Sequence, residues 1–524
     1  MKEKVFLYGE DRLSAGYALE IAHGQRRGLI GERASARIAA SEEIVRDIVS
    51  RDTIVYGINT GFGPLCTTTI SAEETRELQH NLLKSHSSGI GDALPADISK
   101  IMMILKVHAL AQGFSGIRRQ TLDRMLLFIE NDVVPVVPSQ GSVGASGDLA
   151  PLAHLFLPLI GLGEVEFKGR VMTAEKALDQ LSLKPLNLGP KEGLALINGT
   201  QFIAANALKG LQRFKSCLDQ ADIMGAMSIE ALLGSQKPFN EQLHTLRAYK
   251  GNCFVAGHLR LLLKDSQINQ SHQHCSSVQD PYSLRCMPQV HGASRNAWLN
   301  LKESLDIEMN SVTDNPIILD RENAISGGHF HGQPIALPID YASLGVAELG
   351  SISERRVYFL MEGKREGLPK FLIDHSGLHS GLMIPQYTAA SLVSENKTMC
   401  FPASADSIPT SIGQEDHVSM GSIGSRKFHK MLDNIEKILA IELLCASQGM
   451  EFRKPLKSSV ILEACHREIR KHISYIHEDR IFARDMANAL ELVKNSTLIH
   501  AAKQAIEEHA LAVDIPYESD FSLY

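Results

Sequence analysis

Residues 427–450 read KFHKMLDNIEKILAIELLCASQGM, and the spacing within them decides the fold class. Met431, Ile435, Ile438, Leu439 and Leu443 recur three and four residues apart, with Glu442 among them. That is the period of a helix with one buried face. No proline interrupts the 24 residues, about twice the usual helix length of roughly 11. Residues 341–361 form a second long run with few breakers. Shorter helices announce their starts. Ser71-Ala72-Glu73-Glu74 is a capping box ahead of Leu78, Leu82 and Leu83. Asp97 is placed to cap a helix carrying Ile98, Ile101, Met102 and Leu105 and ending near Gly113. Strand signals are few: GEVEFKGRVMTA (163–174) alternates around Lys168-Gly169 and predicts a small surface hairpin. No strand–helix alternation points to a doubly wound sheet. The expected fold is all-α, a bundle of long helices with a loop-rich, mostly helical N-terminal region. A soft boundary at KPLNLGPK (184–191) divides an N-terminal region, 1–190, from the long-helix bundle and C-terminal helices, 191–524, around a single continuous core. The helical period stops after Val513.

Composition narrows the function classes. The chain has 524 residues, 44% hydrophobic and 22% charged, ordinary for a globular protein. A net charge of −7 leaves no basic excess for nucleic acid. The first residues, MKEKVFLYGEDRL, hold no apolar stretch or small-residue cleavage site and do not read as a signal peptide. The most apolar segment, LAPLAHLFLPLIGLG (149–163), is too short and too broken by proline to span a bilayer, and is expected to be buried core. The 8 cysteines are scattered with no C-x-x-C pair. A cytoplasmic protein with reduced thiols and no membrane partner is expected.

The loop GSVGASGDLAPLAHL (141–155) admits several readings. Gly141, Gly144 and Gly147 are spaced G-x-x-G-x-x-G, with no clear strand before and no Lys-Ser/Thr after, so neither phosphate-binding signature is met. A serine-nucleophile elbow needs glycine where Asp148 stands. A tight turn into a helix begun by Asp148 and Pro151 is the plain structural reading. A chemical reading uses the order Ala145-Ser146-Gly147. In a hard bend the unhindered Gly147 nitrogen reaches the Ala145 carbonyl carbon and closes a five-membered ring. Loss of water gives an imidazolone, and loss of a second water from Ser146 leaves an exocyclic methylidene. Small residues suit so crowded a geometry.

This loop resembles the signature of the aromatic amino acid ammonia-lyases and aminomutases, which carry that methylidene-imidazolone. The resemblance continues through YGINTGFG (56–63), ALINGTQ (195–201), QDPYSLRC (279–286), NSVTDNP (310–316), FHGQP (330–334) and SENK (394–397). So many motifs in order along the chain are far more specific than one motif. The resemblance implies an ammonia-lyase whose electrophile forms from Ala145, Ser146 and Gly147, with no external cofactor and no metal. Ammonia is a poor leaving group and the β-proton is not acidic, so an electrophile for the amine and a base near the β-carbon are both needed. By similarity Tyr56 is that base, in a loop that Gly57, Gly61 and Gly63 let close over substrate, at a site favouring its phenolate. Asn198 and Tyr282 match residues around the electrophile, and Arg285 matches the arginine that clamps the substrate carboxylate. Phe330 and Met383 match positions touching the substrate ring. Gln279 in QDPYSLRC and Gln414 in GQEDHVSMG (413–421) join the substrate-binding set. The family forms homotetramers with shared active sites, which is expected here too.

Substrate choice is read from two places. Ser85-His86 is the pair found in histidine ammonia-lyases, and Glu415 in GQEDHVSMG (413–421) matches their glutamate. A carboxylate accepts from an imidazole N–H, whereas beside a phenyl ring it is an unpaired buried charge. The expected reaction is L-histidine to trans-urocanate and ammonia, the first step of histidine degradation. The alternative is a tyrosine or phenylalanine ammonia-lyase, or an aminomutase returning ammonia to the β-carbon. Three positions depart from the histidine pattern: Phe401 in FPAS where HPAS is usual, Met287 for glutamine and His291 for methionine. His329-Phe330-His331 and His272-Gln273-His274-Cys275 lack a second cluster at zinc spacing and are read as structural.

Overall fold

The computed structural model describes residues 4–51, 55, 57–58, 60–61, 63, 70–71, 74–272 and 279–524. Eight helices position the site: α1 (Glu74–His86), α2 (Ala96–Ala111), α3 (Leu149–Phe156), α4 (Gln201–Ala231), α5 (Met287–Glu308), α6 (Gln333–Met361), α7 (Met383–Thr398) and α8 (Gly421–Glu451). The four longest, α4, α5, α6 and α8, pack on one another as the central bundle. One hydrophobic cluster runs from Phe6 to Phe521 and draws on both expected regions of the chain. Strands form only two- and three-stranded sheets among the described residues. The all-α expectation holds.

Local signals explain most boundaries. Glu74 N donates to Ser71 Oγ at 3.3 Å and Ser71 N to Glu74 Oε2 at 3.4 Å, the reciprocal pairing of a capping box; Ala72 and Glu73 lie outside the described residues. The predicted hairpin pairs Glu164–Phe167 with Arg170–Thr173. Its turn residues Lys168 and Gly169 both have positive φ, 53° and 71°, which matches the twist of the flanking strands. Of the segment 149–163 expected to be buried, residues 149–160 form α3 and a 3-10 turn and are largely buried, while Leu162 and Gly163 are exposed.

Three starts differ from expectation. The 341–361 helix begins at Gln333, because Pro334 in the first turn lacks only an N–H that would be unpaired anyway, and Pro338 gives up one further bond. The 427–450 helix begins at Gly421, through small residues that carry no apolar period. Asp97 is not the cap of α2: Pro95 is, and the Asp97 carboxylate accepts from Ile98 N at 2.9 Å inside the first turn. Asp148 precedes α3 but does not cap it through its side chain. Its Oδ2 accepts from Ile203 N at 3.0 Å in the first turn of α4, and its Oδ1 from Ser142 Oγ at 3.1 Å. One carboxylate thereby ties the glycine loop to the start of a bundle helix.

Among the described residues α6 alone is long and apolar enough to cross a membrane, and 67% of its most apolar window is buried inside the protein. It is a bundle helix that carries the buried side chains of Glu354 and Arg356.

A buried histidine gives the fold a pH dependence. His108 in α2 accepts from Gly9 N through Nδ1 at 3.2 Å and pairs with Asn310 Oδ1 through Nε2 at 3.2 Å, which fixes a neutral ring. Burial pushes its pKa down to about 4, against about 6.5 in an unfolded chain. The unfolded state therefore binds more protons between those values, so stability is full above pH 6.5 and is lost as pH falls toward 4. The melting temperature should drop across that window, and His108→Asn should flatten part of the slope. An equal slope in the variant assigns the loss elsewhere.

Candidate active site

The glycine loop is strapped on two sides. On one side lies the turn at Asn198–Gly199, just before α4. Asn198 Nδ2 donates to the Ser146 carbonyl at 2.7 Å, and Asp148 N donates to the Gly199 carbonyl at 2.7 Å. Gly147 and Gly199 pair as an isolated bridge. On the other side lies the start of α8. Met420 N donates to Val143 O at 2.9 Å, Ser419 Oγ to Gly144 O at 3.1 Å and Ser422 Oγ to Ser142 O at 2.5 Å. Gly147 has φ +76°, and a Cβ there would sit 2.2 Å from the Gly199 carbonyl oxygen. Only glycine fits this close approach. Gly147→Ala should therefore lower stability by about 2 kcal/mol or more, read by thermal unfolding. A variant that melts with the wild type removes the claim that the two turns are pressed together.

Beside this loop opens a cavity of about 780 Å³. Of the residues singled out in the sequence, His86, Ala145, Ser146, Asn198, Phe330, Gln414 and Glu415 line it. They come from the end of α1, the loop, the start of α4, the start of α6 and the segment before α8. Gly147 lies buried beneath, and Gly61 and Gly63 form part of the rim. Tyr56 lies outside the described residues.

Glu415 is the focus of the polar contacts. Ser146 Oγ donates to its Oε1 at 2.5 Å, while Thr410 Oγ1 and Ser411 Oγ donate to Oε2 at 2.6 and 3.0 Å. His86 sits close enough to feel this carboxylate. Burial lowers the pKa of its imidazole, opposed by the Leu82 carbonyl and by Glu415, so the ring is neutral near pH 7. Ser85 Oγ meets its Nδ1 at 3.0 Å. Asn198 is 3% exposed, and its Oδ1 has no partner among the described residues. That is an unusual state for a buried acceptor, in a residue that lines the cavity.

Among the lining residues not singled out as ligands are two histidines, His331 and His417. His331 Nδ1 accepts from Gln333 N at 3.2 Å, which leaves Nε2 to donate to the His417 carbonyl at 3.1 Å. The His331 and His417 rings stack, 6.0 Å apart and 9° from parallel. His331 stands in FHGQP and His417 in QEDH, so both were visible in the sequence, but their meeting depends on the fold. No group of three or more His, Cys, Asp or Glu able to hold a metal occurs among the described residues.

Four of the named residues do not line this cavity. Tyr282 is 70% exposed, and the Arg285 guanidinium stacks 4.5 Å over its ring while Nε donates to the Asp280 carbonyl at 2.9 Å. Gln279 is exposed in the same segment. Arg356 near the end of α6 donates to the Ser283 carbonyl, and Phe330 and His331 precede the start of that helix. At 1.5 Å per residue the two places are about 35 Å apart. Met383, half-buried, opens α7 beside the far end too, where Gln386 donates to Glu354 at 2.7 Å. The departures from the histidine pattern also stand away from the cavity. Met287 and His291 are fully buried, His291 between Asp222 (2.7 Å) and Arg356 (3.2 Å), and Phe401 is 76% exposed.

Helical bundle, strapped glycine loop and polar cavity together define a class. Residues 13–471 match the aromatic amino acid lyases, and the chain belongs to that family. Among its relatives, the histidine ammonia-lyase of Sorangium cellulosum (strain So ce56) is 48% identical over 93% of this chain and 97% of its own length. The crystal structure of histidine ammonia-lyase from Trypanosoma cruzi superposes with a TM-score of 0.88 at 39% identity, over 99% of this chain and 97% of that one. The tyrosine aminomutase from Streptomyces globisporus superposes equally well, with a TM-score of 0.90, at 31% identity over 96% of this chain and 99% of that one. The backbone is thus common to different substrates, and choice among them rests on side chains.

Proposed function

We propose that the chain is a histidine ammonia-lyase, which eliminates ammonia from L-histidine to give trans-urocanate. One observation carries the reading: a carboxylate, Glu415, faces the cavity beside the neutral imidazole of His86 and the hydroxyl of Ser146. A phenyl ring has no donor for that charge, while an imidazole N–H pairs with it. The high identity to histidine ammonia-lyases supports the same substrate.

The loop fits a self-made methylidene-imidazolone of Ala145, Ser146 and Gly147. The nitrogen that must approach Ala145 belongs to a residue whose surroundings exclude a Cβ, and the Ser146 carbonyl is already held by Asn198. Once formed, the group supplies an electron-poor carbon that turns the substrate amine into a leaving group. The remaining work falls to side chains. Glu415 accepts the imidazole N–H, His86 stays neutral within reach of the substrate, and Phe330 walls the ring. Asn198 holds the Ser146 carbonyl through Nδ2. Tyr56, a few residues before Gly61 and Gly63 in the sequence, takes the β-proton.

Arg285, Tyr282, Gln279 and Met383 serve the site of a neighbouring copy, Arg285 clamping the carboxylate with its planar guanidinium. The separation of about 35 Å along α6 supports a shared site. So does an apolar stripe: Leu337, Tyr341 and Leu344 on α6 and Ile384 and Tyr387 on α7 are all exposed in one chain, as expected of a face that another copy covers. A homotetramer is expected, with a light-scattering mass four times the 57.5 kDa of the chain. A monomer releasing ammonia at full rate overturns the sharing.

The purified protein is tested with L-histidine, L-tyrosine and L-phenylalanine, following ammonia and the near-ultraviolet absorbance of the conjugated acid. Urocanate from histidine alone is expected. Coumarate or cinnamate without urocanate refutes the substrate, and β-amino acid without ammonia release refutes the lyase.

A further inference from the structure

Behind the strap that presses on the glycine loop sits a lysine with no ion-pair partner among the described residues. Lys106, on α2, is 1% exposed, and its Nζ donates to the Asn198 carbonyl at 2.6 Å. The charged groups that face it are Asp314, Lys191 and Asp148. Asp314 is engaged by Lys191 at 2.9 Å, and Asp148 by Ile203 N and Ser142. A buried ammonium is expensive unless well paired, and burial pushes this amine down to about 7. Neutral apolar residues surround it along α2, which is buried almost throughout. Packing alone would be better served by leucine or methionine. The one polar contact that the side chain makes among the described residues is with the Asn198–Gly199 peptide.

That peptide is the strap itself. Its Asn198 side chain holds the Ser146 carbonyl, its Gly199 carbonyl accepts from Asp148 N, and Gly199 lies against Gly147. We propose that Lys106 is a positioning residue for formation of the electrophile: it anchors the Asn198–Gly199 turn, and the turn holds Ser146 and Gly147 in the bend from which the ring closes. This rests on the electrophile assigned above.

The steps balance without an oxidant. A bond forms from Gly147 N to the Ala145 carbonyl carbon, and the amide proton moves to the carbonyl oxygen. That oxygen leaves as water with the Ser146 N–H proton as a C=N bond forms between Ala145 C and Ser146 N. Ser146 then loses its Cα proton and its hydroxyl as a second water. Charge developing during that last loss falls on the Ser146 carbonyl oxygen, which receives the Asn198 N–H. A strap free to drift loses both the bend and this donor.

Freshly synthesised full-length protein is followed by intact mass for loss of two waters and by the accompanying near-ultraviolet absorbance. Lys106→Met removes the donor and keeps the volume. It should fold with a cooperative melting transition yet dehydrate about tenfold more slowly or worse, the scale of one charged hydrogen bond. Lys106→Gln, whose amide cannot reach as far, should also be slowed, and decides the matter if the methionine variant does not fold. Dehydration of either folded variant at the wild-type rate overturns the proposal. Wild-type protein that never loses two waters overturns the electrophile instead, and so separates the two failures.

Discussion

Replacing Ser146 by alanine should reduce ammonia release from L-histidine by about a thousandfold or more, while leaving the protein folded. The methylidene can come only from a residue with a hydroxyl to lose, and alanine has none. The variant should therefore show no loss of two waters by intact mass. Folding should survive because the straps on the loop use other atoms. Asn198 donates to the Ser146 backbone carbonyl, Gly147 meets Gly199 through backbone, and Ser419 and Ser422 donate to carbonyls of Gly144 and Ser142. The only side-chain contact removed among the described residues is to Glu415, on a half-buried residue. A change in melting temperature of a few degrees at most is expected. Circular dichroism and thermal unfolding check the second part, and ammonia release the first. If Ser146→Ala keeps more than a few per cent of wild-type activity, the electrophile is not made from this loop.

What the chain disclosed before folding follows from the range of each interaction. The bundle was legible because a buried helix face writes its period into neighbouring residues, as at 427–450. Starts were less legible where that period is silent: Gly421 to Arg426 is small and polar, and Pro334 and Pro338 read as breakers although the first turn tolerates them. Asp148 looked like a local cap and proved to serve a helix through a residue 55 positions on, because cap geometry depends on where a second helix arrives. The meeting of Ser146 with Glu415, 269 residues apart, has no local signature at all. It was reached through ordered motifs, not through spacing. Lys106 was hidden for a different reason: α2 is buried on every side, so no polar face marks the lysine as special. Arg285 and Tyr282 lie at the other end of the bundle because α6 is 29 residues long, and no reading of a single chain shortens it.

Glu415→Gln should lower kcat/KM for L-histidine by about a hundredfold, with the electrophile still formed. In the unmodified loop the carboxylate accepts from three hydroxyls, Ser146 on one oxygen and Thr410 and Ser411 on the other. Thr410 and Ser411 therefore fix its plane. Loss of the Ser146 hydroxyl during maturation leaves Oε1 without that donor, facing the cavity next to His86. A substrate imidazole N–H restores a charge-assisted bond at that oxygen, a contact of about 1.5–3 kcal/mol, which corresponds to roughly ten- to a hundredfold in rate. Glutamine keeps the volume but not the capacity. Its amide must turn either an N–H toward the Thr410 and Ser411 hydroxyls or an N–H toward the imidazole, and one side loses its acceptor. The upper end of the range is expected because the remaining donor is left buried and unpaired. L-Phenylalanine, with no N–H in its ring, should gain nothing from the wild-type carboxylate. Its turnover in the variant should stay within a few-fold of the wild type. Intact mass confirms that the two waters are still lost. If histidine turnover falls less than about threefold, Glu415 is a solvated residue at the mouth of the cavity. The preference for an imidazole must then come from His86 and Phe330, with the electrophile untouched.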